Sequence, residues 1–223
     1  MADDKQAEQQ AVLPSVRQPG GRKPGGRQAA YTARNRAALV SAAQEVLAEF
    51  GVAATVEQLV AQAHVSPATI YNYFESKDAL LKEALNQIWH DSVILAYGGK
   101  QPGESFGDMI DVCRKLFRVG QSQPLFAKVL RNTLRDPSFV IDAVQGQSEA
   151  TLKAVAGPAG LLVADFDKRV RLFSYAVAGI MSAVFVTGEF TAAEADESLA
   201  ISLSLWNLSP AEANMLTSRP LTD

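Results

Sequence analysis

The chain has 223 residues, 48% of them hydrophobic, with 21 basic and 24 acidic side chains and a formal net charge of −3. That length suffices for one large or two small domains with a true core, and the balance is that of a soluble globular chain over most of its length. The single cysteine, Cys113, excludes an internal disulfide and fits a reducing cytosol. Residues 1–36 hold no apolar stretch of the kind a signal peptide needs, so a cytoplasmic protein with no membrane partner is expected.

Charge is unevenly spread. Between Glu8 and Glu45 there is no acidic residue but there are six basic ones, Arg17, Arg22, Lys23, Arg27, Arg34 and Arg36. After Arg171 the one basic residue is Arg219, against six acidic ones. Such an arm is either a polyanion contact or a solvated tail. Residues 1–30, with "RQPGGRKPGGR", have nothing to bury and read as disordered.

From about Thr32 a helical period begins, with Leu39, Ala43, Val46, Leu47 and Phe50 on one face and Gly51 as the stop. Thr55 and Gln58 then form a capping box ahead of Val56, Leu59, Val60 and Ala63. After the turn "HVS", Ser66 caps a short helix with Pro67 in its first position, ending near Phe74. A longer helix opens at Ser76 and runs to about residue 97, with Leu80, Leu81, Ala84, Leu85, Ile88 and Trp89 along one side. Two helices joined by so tight a turn are a helix-turn-helix. Gly98, Gly99, Pro102 and Gly103 mark the boundary to a second domain, 98–223.

Everything beyond is helical too. Phe106, Met109, Ile110, Cys113, Leu116 and Phe117 form one stripe; further helices are expected at about 123–135, 138–155, 166–188 and 192–207. The longest uncharged run, Leu172–Gly188, has 17 residues, falls just short of a membrane span and reads as a buried helix. No stretch keeps strand-like alternation, so the fold is all-α.

On a helical wheel with Ile70 at zero, Phe74 lies at about 40° and Pro67 at about 60°, toward the preceding helices. Ala68 and Asn72 lie opposite, at about 160° and 200°, with Thr69 and Tyr73 on one flank and Tyr71 on the other. An outward amide can meet base edges and an alanine a thymine methyl, while flanking hydroxyls suit phosphate oxygens. Lys77 at the next helix start suits an anion as well. The plainer reading has both tyrosines propping up a three-helix core with their hydroxyls in water.

The run "TVEQLVAQAHVSPATIYNYFESKDALL" resembles the amino-terminal domain of the tetracycline-repressor (TetR) family of bacterial regulators, with residues 32–97 matching its order of four helices. The resemblance implies that Pro67, Ala68, Tyr71 and Asn72 sit nearest the bases and Thr55, Thr69, Tyr73 and Lys77 nearest the DNA backbone. One position departs from the pattern: His64 stands where the family's turn usually has glycine, a place that tends to need a positive φ. "GGRKPGGR" is similar to minor-groove arms, which adds Arg22, Lys23, Arg27 and Arg34 to the expected DNA contacts.

For the second domain the resemblance implies homodimerisation through a four-helix interface and an inducer pocket. Phe106, Met109, Cys113, Phe117, Phe126, Phe139 and Tyr175 are candidate lining residues, and Arg114, Arg118, Arg131 and Arg135 candidate polar anchors. Core packing and surface ion pairs explain the same residues. The expected function is a ligand-responsive DNA-binding repressor acting as a dimer on a palindromic double-stranded site and released by a small, largely apolar effector. The alternative is a ligand-independent DNA-organising protein that relies on the arm. An enzyme is the least supported class: two histidines, one cysteine and no H-E-x-x-H, G-x-S-x-G, G-x-G-x-x-G or P-loop leave neither a catalytic nor a metal cluster, and no cofactor is implied.

Overall fold

A computed structural model describes residues 26–96, 105–161 and 164–221. Among these, every regular element is helical: α1 (Gly26–Phe50), α2 (Val56–Ala63), α3 (Pro67–Tyr73), α4 (Lys77–Ala96), α5 (Phe106–Leu116), α6 (Val119–Ser122), α7 (Pro124–Thr133), α8 (Pro137–Ala156), α9 (Phe166–Ser182), α10 (Ala192–Ser202) and α11 (Pro210–Ser218). The first helix starts upstream of the expected onset at Thr32, so residues 26–30, read as part of a disordered arm, are helical. A last helix, α11, follows the point where the sequence had been expected to run out of structure; Ser209 and Glu212 form its capping box.

The local signals explain the start of the chain well. Gly51 ends α1 at φ +63°, and the Thr55–Gln58 box opens α2 with both reciprocal bonds present. His64 ends α2 at φ +52°, so histidine does occupy the left-handed turn position. Ser66 then accepts the Thr69 amide and Pro67 fills the first position of α3. Leu47, Leu59, Ile70, Leu81 and Leu85 are fully buried, closing the core of α1–α4.

In the second domain α9 packs against α7, α8 and α10, and α11 packs against α5 and α10. Trp206, wholly buried, gathers the rings of Phe106, Phe166 and Phe173 at 5.5 to 6.0 Å. Beside it, Arg114 and Arg118 of α5 and its C-terminal end hold Asp196 of α10, and Arg219 holds Asp111, with Arg118 Nη2 to Asp196 Oδ2 at 2.6 Å and Arg219 Nη2 to Asp111 Oδ2 at 2.7 Å. Helix α9 continues into a π-helical turn, Ala183–Thr187, whose Phe185 carbonyl accepts from Arg131 at 3.2 Å. Phe166–Thr187 has the length and apolarity of a membrane-crossing helix by composition, yet it is neither wholly buried nor wholly exposed. Val170, Phe173, Ala178, Ile180 and Met181 are buried, whereas within the single chain Leu172 is 54% and Tyr175 46% exposed, so one face of this helix is covered and the other is open.

The two domains meet where α1 crosses α7. Asn132 Nδ2 donates to the Ala48 carbonyl at 2.7 Å, and a Cβ on Gly51 would lie 2.4 Å from the Asn132 carbonyl oxygen. Gly51→Ala therefore combines left-handed strain with a backbone clash and is expected to cost about 2 kcal/mol or more in chemical denaturation. His64→Gly should act oppositely, holding or raising stability by up to about 1 kcal/mol, because glycine removes the strain at φ +52° and gives back part of it as chain entropy. A stabilised Gly51→Ala protein would contradict this account of the joint.

Candidate nucleic-acid interface and the cavity behind it

Helix α3 presents Pro67, Ala68, Tyr71 and Asn72 to solvent, with Ile70 and Phe74 buried beneath it. Tyr71 is 52% exposed, too open for a core prop. Thr55, at the start of α2, is exposed on the same domain. Pro67, placed by the wheel toward the preceding helices, is exposed instead, because it is the first residue of the helix and has no turn behind it.

The flanking groups are more occupied than their residue types suggest. The Tyr73 hydroxyl accepts from Asn35 Nδ2 of α1 at 3.1 Å, and Thr69 Oγ1 lies 2.9 Å from Ser66 Oγ within the cap. Lys77 Nζ donates to the Ala54 carbonyl at 2.9 Å and lies 3.5 Å from an Asp78 carboxylate oxygen. In this state Lys77 therefore closes the end of the turn after α1, and Ser76 Oγ caps α4 by accepting the Ala79 amide. Arg36 sits over the Phe74 ring at 4.6 Å and pairs with Glu83, locking α1 to α4. Arg34 is exposed on α1, its Nε donating to the Ala30 carbonyl. Arg22, Lys23 and the Arg27 side chain lie outside the described residues.

Behind this head, in the second domain, is a cavity of about 320 Å³. Its walls are Trp89, His90, Val93 and Ile94 of α4, Met109, Val112, Cys113 and Leu116 of α5, one face of α8 and the inner face of α9. Met109 and Cys113 of the expected lining are there; the other five are not. Phe106 packs on Trp206, Phe126 meets the edge of Trp89 at 5.7 Å, Phe139 lies under Lys82 Nζ at 5.8 Å, Phe117 is buried elsewhere and Tyr175 faces outward. The candidate arginine anchors do not line it either: Arg114 and Arg118 are held by Asp111 and Asp196, and Arg131 by the Phe185 carbonyl.

Most of the wall residues absent from the expected lining lie on α4, α9 and above all on α8. Val140, Ile141, Val144, Ser148, Thr151, Leu152 and Val155 recur at helical spacing on one face, a stripe of β-branched and small hydroxylated side chains that the sequence displays. Burial pushes the Cys113 thiol up to about 12, so it stays protonated and inert at neutral pH. A broader surface cleft lies at the α1–α7 joint, bordered by Glu45, Glu49, Lys128 and Asn132. Among the described residues, no three His, Cys, Asp or Glu side chains gather where they could hold a metal ion.

The family model of the bacterial regulatory proteins of the tetR family matches residues 39–84, from the middle of α1 to the middle of α4. No curated protein matches the chain. Among solved structures, RolR in complex with resorcinol is similar with a TM-score of 0.63 at 17% identity, covering 87% of this chain and 98% of its own. TylP from Streptomyces fradiae gives 0.53 at 18% identity over 85% and 90% of the two chains. A TetR-family transcriptional regulator from Rhodococcus sp. gives 0.52 at 19% identity over 83% and 100%. At such identities the likeness is one of fold, while the matched helix-turn-helix carries the sequence relationship. Residues 39–84 thus carry the helix-turn-helix of the bacterial tetR regulatory proteins, and the chain as a whole shares the fold of these solved regulators.

Proposed function

We infer that the protein is a dimeric, ligand-responsive repressor in which α3 reads a palindromic operator and the interior cavity receives a small, largely apolar effector. The observation that carries this reading is that one helix serves both sites. Helix α4 starts at the base of α3 and supplies Trp89, His90, Val93 and Ile94 to the cavity wall. RolR, a structural relative, holds resorcinol, which supports a ligand role for a domain of this fold. Asn72, Ala68 and Tyr71 face the base edges, and Thr55 stands closest to the DNA backbone. Lys77 joins them by exchanging the Ala54 carbonyl for a phosphate oxygen, a swap between two acceptors that requires no burial of new charge. Arg22, Lys23, Arg27 and Arg34 add cations to a head that otherwise has few near α3.

Dimerisation explains the outer face of the second domain. Leu172, Tyr175 and Gly179 recur along α9 at helical spacing, and Ile201 of α10 is 76% exposed. Two such faces, related by a two-fold, cover one another as a four-helix interface. The same symmetry sets two copies of α3 roughly 34–36 Å apart, one turn of DNA.

Two measurements test the reading. With an operator obtained by selecting bound genomic fragments, the Tyr71→Ala, Asn72→Ala double variant should bind about 10- to 100-fold more weakly at fixed salt while melting as the parent does, since both side chains are exposed. Undiminished binding would remove α3 as the reading element. In sedimentation, Tyr175→Glu with Ile201→Glu should convert the dimer to folded monomer; a dimer that survives places the interface elsewhere.

A further inference from the structure

The cavity's lining restricts the charge of what can occupy it. Among the described residues, no aspartate, glutamate, lysine or arginine lines it. The arginines carried nearby on α5 and α7 are already bound to Asp111, Asp196 and the Phe185 carbonyl, so none is available as a counter-ion. Cys113, the one acidic group in the wall, keeps its proton because burial disfavours the thiolate. An ion carried onto the apolar floor of such a space loses its water and gains no partner there, since His90, the one basic group in the wall, stands at the exposed mouth.

The polar groups are also confined to one end. Leu116, Leu134, Val140, Phe173 and Met181 are buried and form an apolar floor. His90 and Thr151 are exposed and Ser148 and Ser174 half-buried, which marks them as the mouth. Ser174 Oγ donates its proton to the Val170 carbonyl at 2.9 Å, so toward a ligand it offers lone pairs and accepts. A volume of about 320 Å³ corresponds to on the order of ten water-sized groups.

We propose that this cavity takes an uncharged, mainly apolar molecule of about naphthalene size, seated with its apolar body on the floor and a single O–H or N–H donor at the mouth, and that it rejects organic anions and cations. The proposal deepens the ligand-responsive reading and rests on it for its biological meaning; the selectivity itself is a property of the cavity.

Calorimetric titration of the whole 223-residue chain with 1-naphthol, 1-naphthoate and 1-naphthylmethylammonium tests it, because the three share one ring system and differ in charge. 1-Naphthol should bind at least about tenfold more tightly than either ion. The donor-free ether 1-methoxynaphthalene separates the hydrogen bond from the apolar contact. In Ser148→Ala, Ser174→Ala the affinity for 1-naphthol should fall about 2- to 10-fold while that for the ether holds, a difference that general loosening of the domain would not produce. Filling the floor with Ala178→Phe should weaken the naphthol and its ether alike. Either ion binding as tightly as 1-naphthol, or no 1-naphthol binding up to about 1 mM, overturns the proposal. DNA release is scored separately: 1-naphthol that binds with this selectivity and leaves operator affinity unchanged for every bound probe sinks the ligand-responsive reading and upholds the cavity's charge selectivity.

Discussion

The architecture depends on the continuity of α4. Its 20 residues make an unbroken hydrogen-bonded rod about 30 Å long. The first half belongs to the DNA-binding head: Leu80, Leu81, Ala84 and Leu85 are buried with α1, and Glu83 is paired to Arg36. The second half belongs to the cavity, through Trp89, His90, Val93 and Ile94. A helix carries an angular displacement along its length because bending it would strain consecutive backbone bonds, so in the ligand-responsive reading a small movement of the cavity wall reappears at α3 as a change of tilt. The head follows as one body, since Asn35 holds Tyr73 and Arg36 spans Phe74 and Glu83.

A second connection constrains the first. Asn132 of α7 is bonded to the Ala48 carbonyl of α1, and Gly51 fits under the Asn132 carbonyl only because it has no Cβ. Phe126, on the same α7, meets the edge of Trp89. The head is therefore held at two places, by α4 and by the α1–α7 joint, and Trp89 touches both supports. Rotation of α4 about the joint is compatible with these contacts in a way that separation of the domains is not.

How far the sequence exposes this depends on the range of the interactions. Thr55, His64, Ser66 and Pro67 act on their own neighbours, and such local signals can be read directly; so can the outward Ala68 and Asn72, because helical period decides them. Lys77 could not be placed the same way, because its partner, the Ala54 carbonyl, is brought to it by the turn between α1 and α2. The aromatic residues mislead for a related reason. Phe106 and Phe126 have the chemistry of pocket walls, but large rings are worth most where they pack fully, and Trp206 and Trp89 provide that packing. The cavity is left where smaller side chains stand, on α8, whose stripe of valine, serine and threonine is regular enough to be found once a hole is sought. The short α11 is legible only through its Ser209–Glu212 cap, since its few buried positions, Ala213 and Thr217, make no apolar stripe.

Helix α9 adds the last constraint, because it has two working faces. Phe173, Ser174, Val177, Ala178 and Met181 wall the cavity, while Leu172, Tyr175 and Gly179 form the exposed strip on its other side. An occupant of the cavity presses on both α9 and α4, and it can shift the DNA-binding equilibrium only if it fits one arrangement of those walls better than the other. In the dimer inferred above, α9 is backed by the partner subunit and by α10, whose Asp196 is clamped to Arg114 and Arg118. A wall supported on both sides yields little. Helix α4 packs against α1, α5, α7 and α8 and begins beside α3, so in the ligand-responsive reading it is the wall whose displacement reaches the recognition helix.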